Sequence, residues 1–577
     1  MGTSLTDDLY KCKAIIDIKN STTDSTYAYD INLLGGGSTC GNIYGDIEIN
    51  IKNGKIGRLL GASIGDSSYR PNNWQYPINT FIGTATINMY GGSVTEMYGG
   101  CLGRNMSAIG GSSYNPIKCD SYFYGIVNIN ISGGTVSQTI YGAGAGGVSG
   151  YSTNSTDAYK SYGQNIDTVI NINITGGLID ADIYGGGYGY TNYLTADSTQ
   201  TDGGTLYGNS NINISGSPTI NGSIYGGGRG YDLASNKPDL AQMEGESTLT
   251  ISGSPTINGS IYGAGMGLTN YENMAKFTGT TNININTDLS INAYGGGNIA
   301  KTIGTANINI NSGTHTQSIF GGGNVGVLEG TSNVQINGGI SSQVYGGGNQ
   351  AEVTTPTVTI NDGNNENVYG GGNQAEVTDS TVTVKGGKNQ NIYGGGNQAG
   401  AQSTKIVVSS GDSNAIYGGS NASGVVVSSN ILMQGGNTLN IYGGNNEGGT
   451  TQTSNITVSG GTSGNVFGGG NKANTTTSNV TVNNGKITNV YGGANKADVT
   501  TTNVIITGGN IEKAFGGSNQ SGTVTQSNVS LEGSSGQSAL GGIKMEVDYK
   551  AVAMEDWRKQ QNPGYETYVT VNIKYTN

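Results

Sequence analysis

The chain has 577 residues, a formal net charge of −12, 11% charged side chains, and 103 glycines against 8 prolines. The acidic balance disfavours a nonspecific nucleic-acid binder, which would carry a basic stripe for phosphates. Glycine without a strict third-residue period excludes collagen, the low charge argues against disorder, and no apolar run of about 18 residues marks a membrane-spanning helix.

Residues 1–60 read as opening coils and a cap. Tyr10-Lys11-Cys12-Lys13-Ala14-Ile15-Ile16-Asp17-Ile18 is a charged strand, and Leu33-Leu34-Gly35-Gly36-Gly37 is the first apolar-glycine site. No secretory leader stands at Met1-Gly2-Thr3-Ser4. That start is expected of a piece of a longer protein, so it says little about export.

Residues 61–294 carry the same site at wider intervals. After Leu60 it returns at Tyr98, Tyr141, Tyr184, Tyr225, Tyr262 and Tyr294, with spacings that rise to 43 and fall to 32 residues. Between these sites run segments such as Val127-Asn128-Ile129-Asn130-Ile131 and Ile170-Asn171-Ile172-Asn173-Ile174. Their apolar period is two, which specifies strands rather than helices. The excess length is a set of insertions of up to 19 residues that follow the anchor glycines. They are expected to leave the coil on one side.

The insertions hold most of the unusual side chains: Tyr69, Arg70, Trp74 and Tyr76, then Tyr114, Tyr122 and Tyr124, then Tyr151 and Tyr159, Tyr188 and Tyr190, and Tyr231. Tyrosine offers a rigid amphipathic surface suited to sugar or protein, which makes these the ligand-binding candidates. The alternative is that the loops pack on one another around their own tyrosines. All four cysteines, Cys12, Cys40, Cys101 and Cys119, fall in the first fifth of the chain without the spacing of a zinc site. A Cys101–Cys119 disulfide would close an insertion, and Cys12–Cys40 would staple the opening coils. The alternative is four buried thiols.

Residues 295–542 are the regular part. From Phe320 the ring-plus-glycine site recurs at Tyr345, Tyr369, Tyr393, Tyr417, Tyr442, Phe467, Tyr491 and Phe515, every 24 or 25 residues, with Leu540 in the last slot. A fixed period marks a solenoid whose units contact their neighbours. Pairs such as Val358/Ile360, Val382/Val384 and Ile406/Val408 are expected to point inward and stack, with Thr359, Thr383 and Val407 outward. Four residues after each anchor stands an asparagine: Asn298, Asn324, Asn349, Asn373, Asn397, Asn421, Asn446, Asn471, Asn495 and Asn519. An amide donates and accepts, so the column reads as a hydrogen-bonded ladder. Small residues six and eight places after the anchor, such as Ala375 and Val377, suggest a third face. The expected fold is all-β, a single right-handed parallel β-helix. Residues 543–577 break the pattern and read as a hairpin-like cap ending in Tyr568–Tyr575, which protects an open edge.

Little chemistry is visible. No hydrolase, zinc-protease or nucleotide motif occurs. The one histidine, His315, reads as plain surface in a turn. Calcium-binding glycine repeats need a recurring aspartate where this chain has asparagine, so neither metal nor cofactor is expected. Asp180 and Asp182, spaced to share one face, with Arg229 and Asp232 a coil away, form the sole weak catalytic cluster. Two acids in a strand are more often a solvated face.

The Ile-Tyr-Gly-Gly-Gly repeats and Asn-Ile-Asn-Ile strands of residues 10–542 resemble the glycine-rich β-helical regions of large surface adhesin-like proteins of anaerobic bacteria. The architecture resembles the pectate-lyase-like superfamily. The resemblance implies export, surface display and adhesion, and it supplies no catalytic residue. The expected function is an extracellular scaffold that binds a glycan or a surface protein of a neighbouring cell. The alternatives are a polysaccharide-active enzyme and a self-associating fibre or surface-layer component.

Overall fold

A computed structural model describes residues 12–18, 30–36, 43–66, 79–104, 121–145, 148–149, 168–189, 203–230, 240–271, 273–534 and 568–576. Every regular element among them is a β-strand. The chain forms two compact units, residues 1–308 with 323–329 and residues 309–322 with 330–577. Each is a parallel β-helix.

In the first unit, strands Ser121–Ile131, Thr168–Ile174, Leu206–Ile214 and Met243–Ile251 pair in parallel, one above the next. Ile129, Ile172, Ile212 and Leu249 therefore occupy successive rungs of one buried column. Alternation forces this phase, because a one-residue slip would turn the isoleucines to water and the asparagines inward. The outward asparagines bond along the column: Asn88 to Asn50, Asn130 to Asn88 and Asn173 to Asn130, each at 2.9 Å. The insertions leave between rungs without disturbing the register. Those at 67–78, 105–120, 150–167, 190–202 and 231–239 lie outside the described residues.

In the second unit a regular coil is two strands, such as Val353–Ile360 and Asn364–Tyr369, followed by Val377–Val384 and Lys388–Tyr393 in the next coil. Val358, Val382 and Ile406 sit side by side on consecutive rungs, all buried. The expected third face is present as a bend that runs into the next strand at Val377. Gly370 to Glu376 form a bend whose amides bond to neighbouring coils, Asn373 to the Gly348 carbonyl and Gly371 to the Gly395 carbonyl. Its glycines are required by closeness, since a Cβ on Gly370 would strike the Gly394 carbonyl. Between the two strands, Gly387 turns the chain at φ 78°, a conformation side chains avoid.

Two columns hold the coils together, and a third braces each coil within itself. The anchor rings stack, at centroid spacings of 4.7–5.4 Å from Tyr98 to Tyr294 in the first unit. In the second unit the spacings are 4.5–5.0 Å from Phe320 to Phe515. The asparagines four residues beyond the rings bond in series: Asn324 to Asn298 in the first unit, and every step from Asn373 on Asn349 to Asn519 on Asn495 in the second. A third column was not anticipated. Buried hydroxyls of Ser380, Thr404, Ser429 and Thr502 donate to the carbonyls of Gly394, Gly418, Gly443 and Gly516, at 2.6–2.8 Å. Each bond ties a strand to the glycine bend of its own coil.

Two expectations change. His315 is not a surface turn residue. It lies in strand Thr314–Phe320, 2% exposed, with Nε2 3.1 Å from the Ser312 carbonyl oxygen. The final strand, Tyr568–Thr576, pairs in parallel with Val524–Ser534 and so adds a rung in the direction of the coil. The segment read as its hairpin companion, 543–550, lies outside the described residues.

Candidate functional site

Among the described residues, an extended concave surface belongs to the second unit. It runs across the short strands that lead into the anchor rings, over seven coils, with a volume of about 1130 Å3. Seven rungs at the strand spacing of about 4.8 Å make it roughly 29 Å long. In each coil the strand presents two outward residues, and the groove is lined by these two columns and by the residues between them, His315, Ser341, Asn365, Asn389, Ser413 and Thr438. One carries Thr314, Ile340, Asn364, Lys388, Asp412, Asn437 and Thr462. The other carries Thr316, Ser342, Glu366, Gln390, Asn414, Leu439 and Gly464.

The columns stay in register because the backbones do: Lys388 pairs with Asp412 and Asp412 with Asn437 along the ladder. Amides and hydroxyls predominate, and each offers both a donor and an acceptor. Charges are few and mixed, with Glu366, Lys388 and Asp412 on successive coils. Asp412 accepts from Asn437 at 2.9 Å and Glu366 from Ser342 at 3.1 Å. Ile340 and Leu439 add exposed apolar surface, 50% and 55% accessible. A smaller hollow of about 460 Å3 adjoins Lys388 and Asp412 over the glycine turns at Gly339, Gly363 and Gly387.

The residues singled out from the sequence lie mostly in the first unit. Asp180 is exposed and accepts from Asn221 at 2.6 Å. Asp182 accepts from the Tyr184 hydroxyl at 3.0 Å and the Ser223 amide at 2.7 Å. Arg229 is drawn elsewhere. Its Nη1 donates to the Tyr141 hydroxyl at 2.9 Å, and its guanidinium lies 5.3 Å from the Tyr188 ring centre and 6.0 Å from that of Tyr184. No ion pair joins it to Asp182 among the described residues. Burial pushes the Tyr184 hydroxyl up, and the Asp182 carboxylate adds to that. Burial also raises Tyr141, with Arg229 pulling the other way. The arrangement holds the cation among tyrosines.

Tyr122 and Tyr124 flank the inward Phe123, their rings 6.3 Å apart and near parallel. Tyr188 stacks on Tyr141 at 5.0 Å. Cys101 is a buried free thiol, donating to the Tyr122 carbonyl at 3.6 Å and pushed up to about 12 by burial. Cys12 lies in the first strand, Cys12–Ile18. Tyr69, Arg70, Trp74, Tyr76, Tyr114, Tyr151, Tyr159, Tyr190, Tyr231, Asp232, Cys40 and Cys119 lie outside the described residues.

The groove itself escaped sequence reading, because its lining is ordinary for the outer face of a strand. The available signal lay one residue inward, in a column that changes from apolar to polar over the same coils. Among the described residues no His, Cys, Asp and Glu group suited to a metal occurs, and no helix is long and apolar enough to cross a membrane. Comparison with family models, with curated proteins and with solved structures finds no match.

Proposed function

We propose that this protein is a binding scaffold of the cell exterior, adhesin-like, whose second unit holds a neutral glycan chain lengthwise in the groove. The observation that carries the reading is the lining: outward amides and hydroxyls on successive coils, in two columns, across an open channel. Sugar hydroxyls both give and accept hydrogen bonds, and such side chains match them without a fixed polarity. Ile340 and Leu439 suit the apolar faces of sugar rings. Glu366 and Asp412 outnumber Lys388, which disfavours polyanionic chains, as does the net charge of −12. Placement outside the cell rests on the resemblance of the repeats to surface adhesin regions. The tyrosines of the insertions offer a second contact surface, for a glycan or a surface protein.

The test is retention of the full chain on neutral polysaccharides and on a glycan array, beside Gln390→Ala/Asn414→Ala. The expected outcome is retention by the native chain and a loss of about tenfold or more in the variant. Equal retention by both, or none by either, would sink the groove reading. Release of shortened saccharides would replace the scaffold with an enzyme.

A further inference from the structure

Between the two strands of a coil the chain turns on a glycine of positive φ. The residue before that glycine is itself glycine or serine in most coils, as at Gly386, Ser410, Gly460 and Gly508. Asn53, Asp362 and Asn484 depart from this. At all three the side chain folds back over the turn, and its Oδ1 accepts the amide of the following glycine at 2.8 Å. The turn itself differs. φ is 98°, 104° and 110° at Gly54, Gly363 and Gly485, against 78°, 89° and 96° at Gly387, Gly411 and Gly509. Asn53 and Asn484 are exposed, so water reaches the pair.

This contact brings together two groups that can react. A glycine nitrogen 2.8 Å from Oδ1 lies roughly 3–3.5 Å from the Cγ bonded to that oxygen, the separation of a near-attack pair. Glycine has no Cβ to shield its nitrogen. The chain holds five Asn-Gly pairs, and the other three are engaged elsewhere. Asn337 donates to Asn311 and accepts from Asn361, both at 2.8 Å. Asn221 donates to Asp180 at 2.6 Å and accepts from Asn258 at 2.8 Å. These amides point to the neighbouring coil. Turning one onto its own backbone would break bonds that the fold has made.

We infer that Asn53 and Asn484 are sites of self-modification, converted through a succinimide to aspartate and isoaspartate, while Asn221, Asn258 and Asn337 are protected by their inter-coil bonds. The step needs water alone. The Gly485 nitrogen gives its proton to solvent and attacks Cγ of Asn484. An N–Cγ bond forms, the Cγ–Nδ2 bond breaks, and the leaving nitrogen takes a proton from solvent to depart as ammonia. Water then opens the five-membered imide at either carbonyl. Each event replaces a neutral amide by a carboxylate and adds one negative charge to the turn. Asp362 sits in the same geometry but must expel water from a protonated carboxyl, so it isomerises more slowly. The inference is independent of the glycan reading.

The test is incubation of the full chain in mildly alkaline buffer, folded and in denaturant, with peptide mapping for the mass gain of deamidation and for isoaspartate. In denaturant all five Asn-Gly pairs are expected to convert at similar rates, because the following glycine is common to them. In the folded chain Asn53 and Asn484 are expected to convert about tenfold or more faster than Asn221, Asn258 and Asn337. Folded rates no faster at Asn53 and Asn484 than at the other three overturn the inference. Asn311→Ala/Asn361→Ala removes both partners of Asn337, and conversion there is expected to rise towards that of Asn484. An unchanged rate would show that the inter-coil bonds do not protect it. If that pair does not fold, Asn361→Ala alone serves, with a smaller rise expected and no rise decisive against protection. Asn484→Gly places in this slot the residue that Gly460 and Gly508 supply in the neighbouring coils. It should abolish the product at that turn and leave Asn53 unaffected. A mass gain that persists in the same peptide would assign the reaction to another residue and overturn the site.

Discussion

The slot four residues beyond the ring is filled differently in the two units. In the second it is asparagine on every coil from Asn349 to Asn519, bonded in series. In the insertion-bearing coils of the first it holds Leu102, Ala145, Tyr188, Arg229 and Met266, which still pair rung to rung through their backbones. The backbone column therefore needs no particular side chain, and the ladder is an addition that coils without insertions can carry. The slot also serves the rings. Tyr369 meets Asn421 and Tyr393 meets Asn446, each two coils further on. In the first unit Tyr141 meets Arg229 and Tyr225 meets Asn298 at the same two-coil reach. One geometry persists while the residue supplying it changes.

The feature common to both units sets the largest expected effect. Burial raises the stacked tyrosines, with Tyr294 and Tyr369 moving from the ordinary 10.0 to about 12. A folded value above the unfolded one means that the neutral hydroxyl favours the fold. That stabilisation is complete below pH 10.0 and is lost as the pH climbs towards 12. Because many rings share the stack, cooperative unfolding in that window is expected, followed by circular dichroism beside tyrosinate absorbance. Tyrosinate forming smoothly at pH 10.0 while the fold persists would show that the stack is open to water.

Next come the glycine bends. Gly394→Val would drive a Cβ into the Gly418 carbonyl, and Gly226→Val would do the same at the Ser247 hydroxyl and Gly263 carbonyl. Both are expected to cost about 3 kcal/mol in chemical denaturation. A clearly milder loss at Gly226 would mark the insertion-bearing coils as the looser of the two. Below these lies the ladder. Asn397→Ala removes bonds to Asn373 at 3.0 Å and from Asn421 at 2.9 Å, with an expected cost of about 2 kcal/mol. Ala145 holds the equivalent slot in the first unit without such bonds, so no loss at Asn397 would reduce the ladder to turn chemistry.

Much of this was legible in the residues, and the limits follow from what a period can report. Fixed spacing tells which residues share a column, so the Val358–Val382–Ile406 stack and the asparagine ladder were readable from sequence alone. It does not tell what a side chain in one column touches in another. The Ser380 hydroxyl reaching the Gly394 carbonyl crosses the interior of its own coil, and no local pattern marks that contact. Arg229 drew attention as a rare charge near two acids, yet its length carries it to Tyr141, away from them. The groove was hidden because its outward lining looks like any solvated strand. His315 was misplaced because a polar residue in the inner column reads as a turn when isoleucine is the expected occupant.

The smallest effect gives the finest test of the comparison. If Arg229 is a substitute for the ladder asparagine, its contribution is one hydrogen bond to Tyr141 and contact with the rings of Tyr184 and Tyr188. Arg229→Ala then leaves a buried hydroxyl short of its donor and removes the cation from the rings, with an expected loss of about 1–2 kcal/mol. Arg229→Asn should recover part of that loss, because an amide in this slot meets the ring two coils back in the second unit. Arg229→Lys should recover less, since a lysine cannot lie flat on two rings while donating to a third. A chain in which asparagine is no better than alanine would show that Arg229 is held for something the regular coils lack, and the insertions around it would be the place to look.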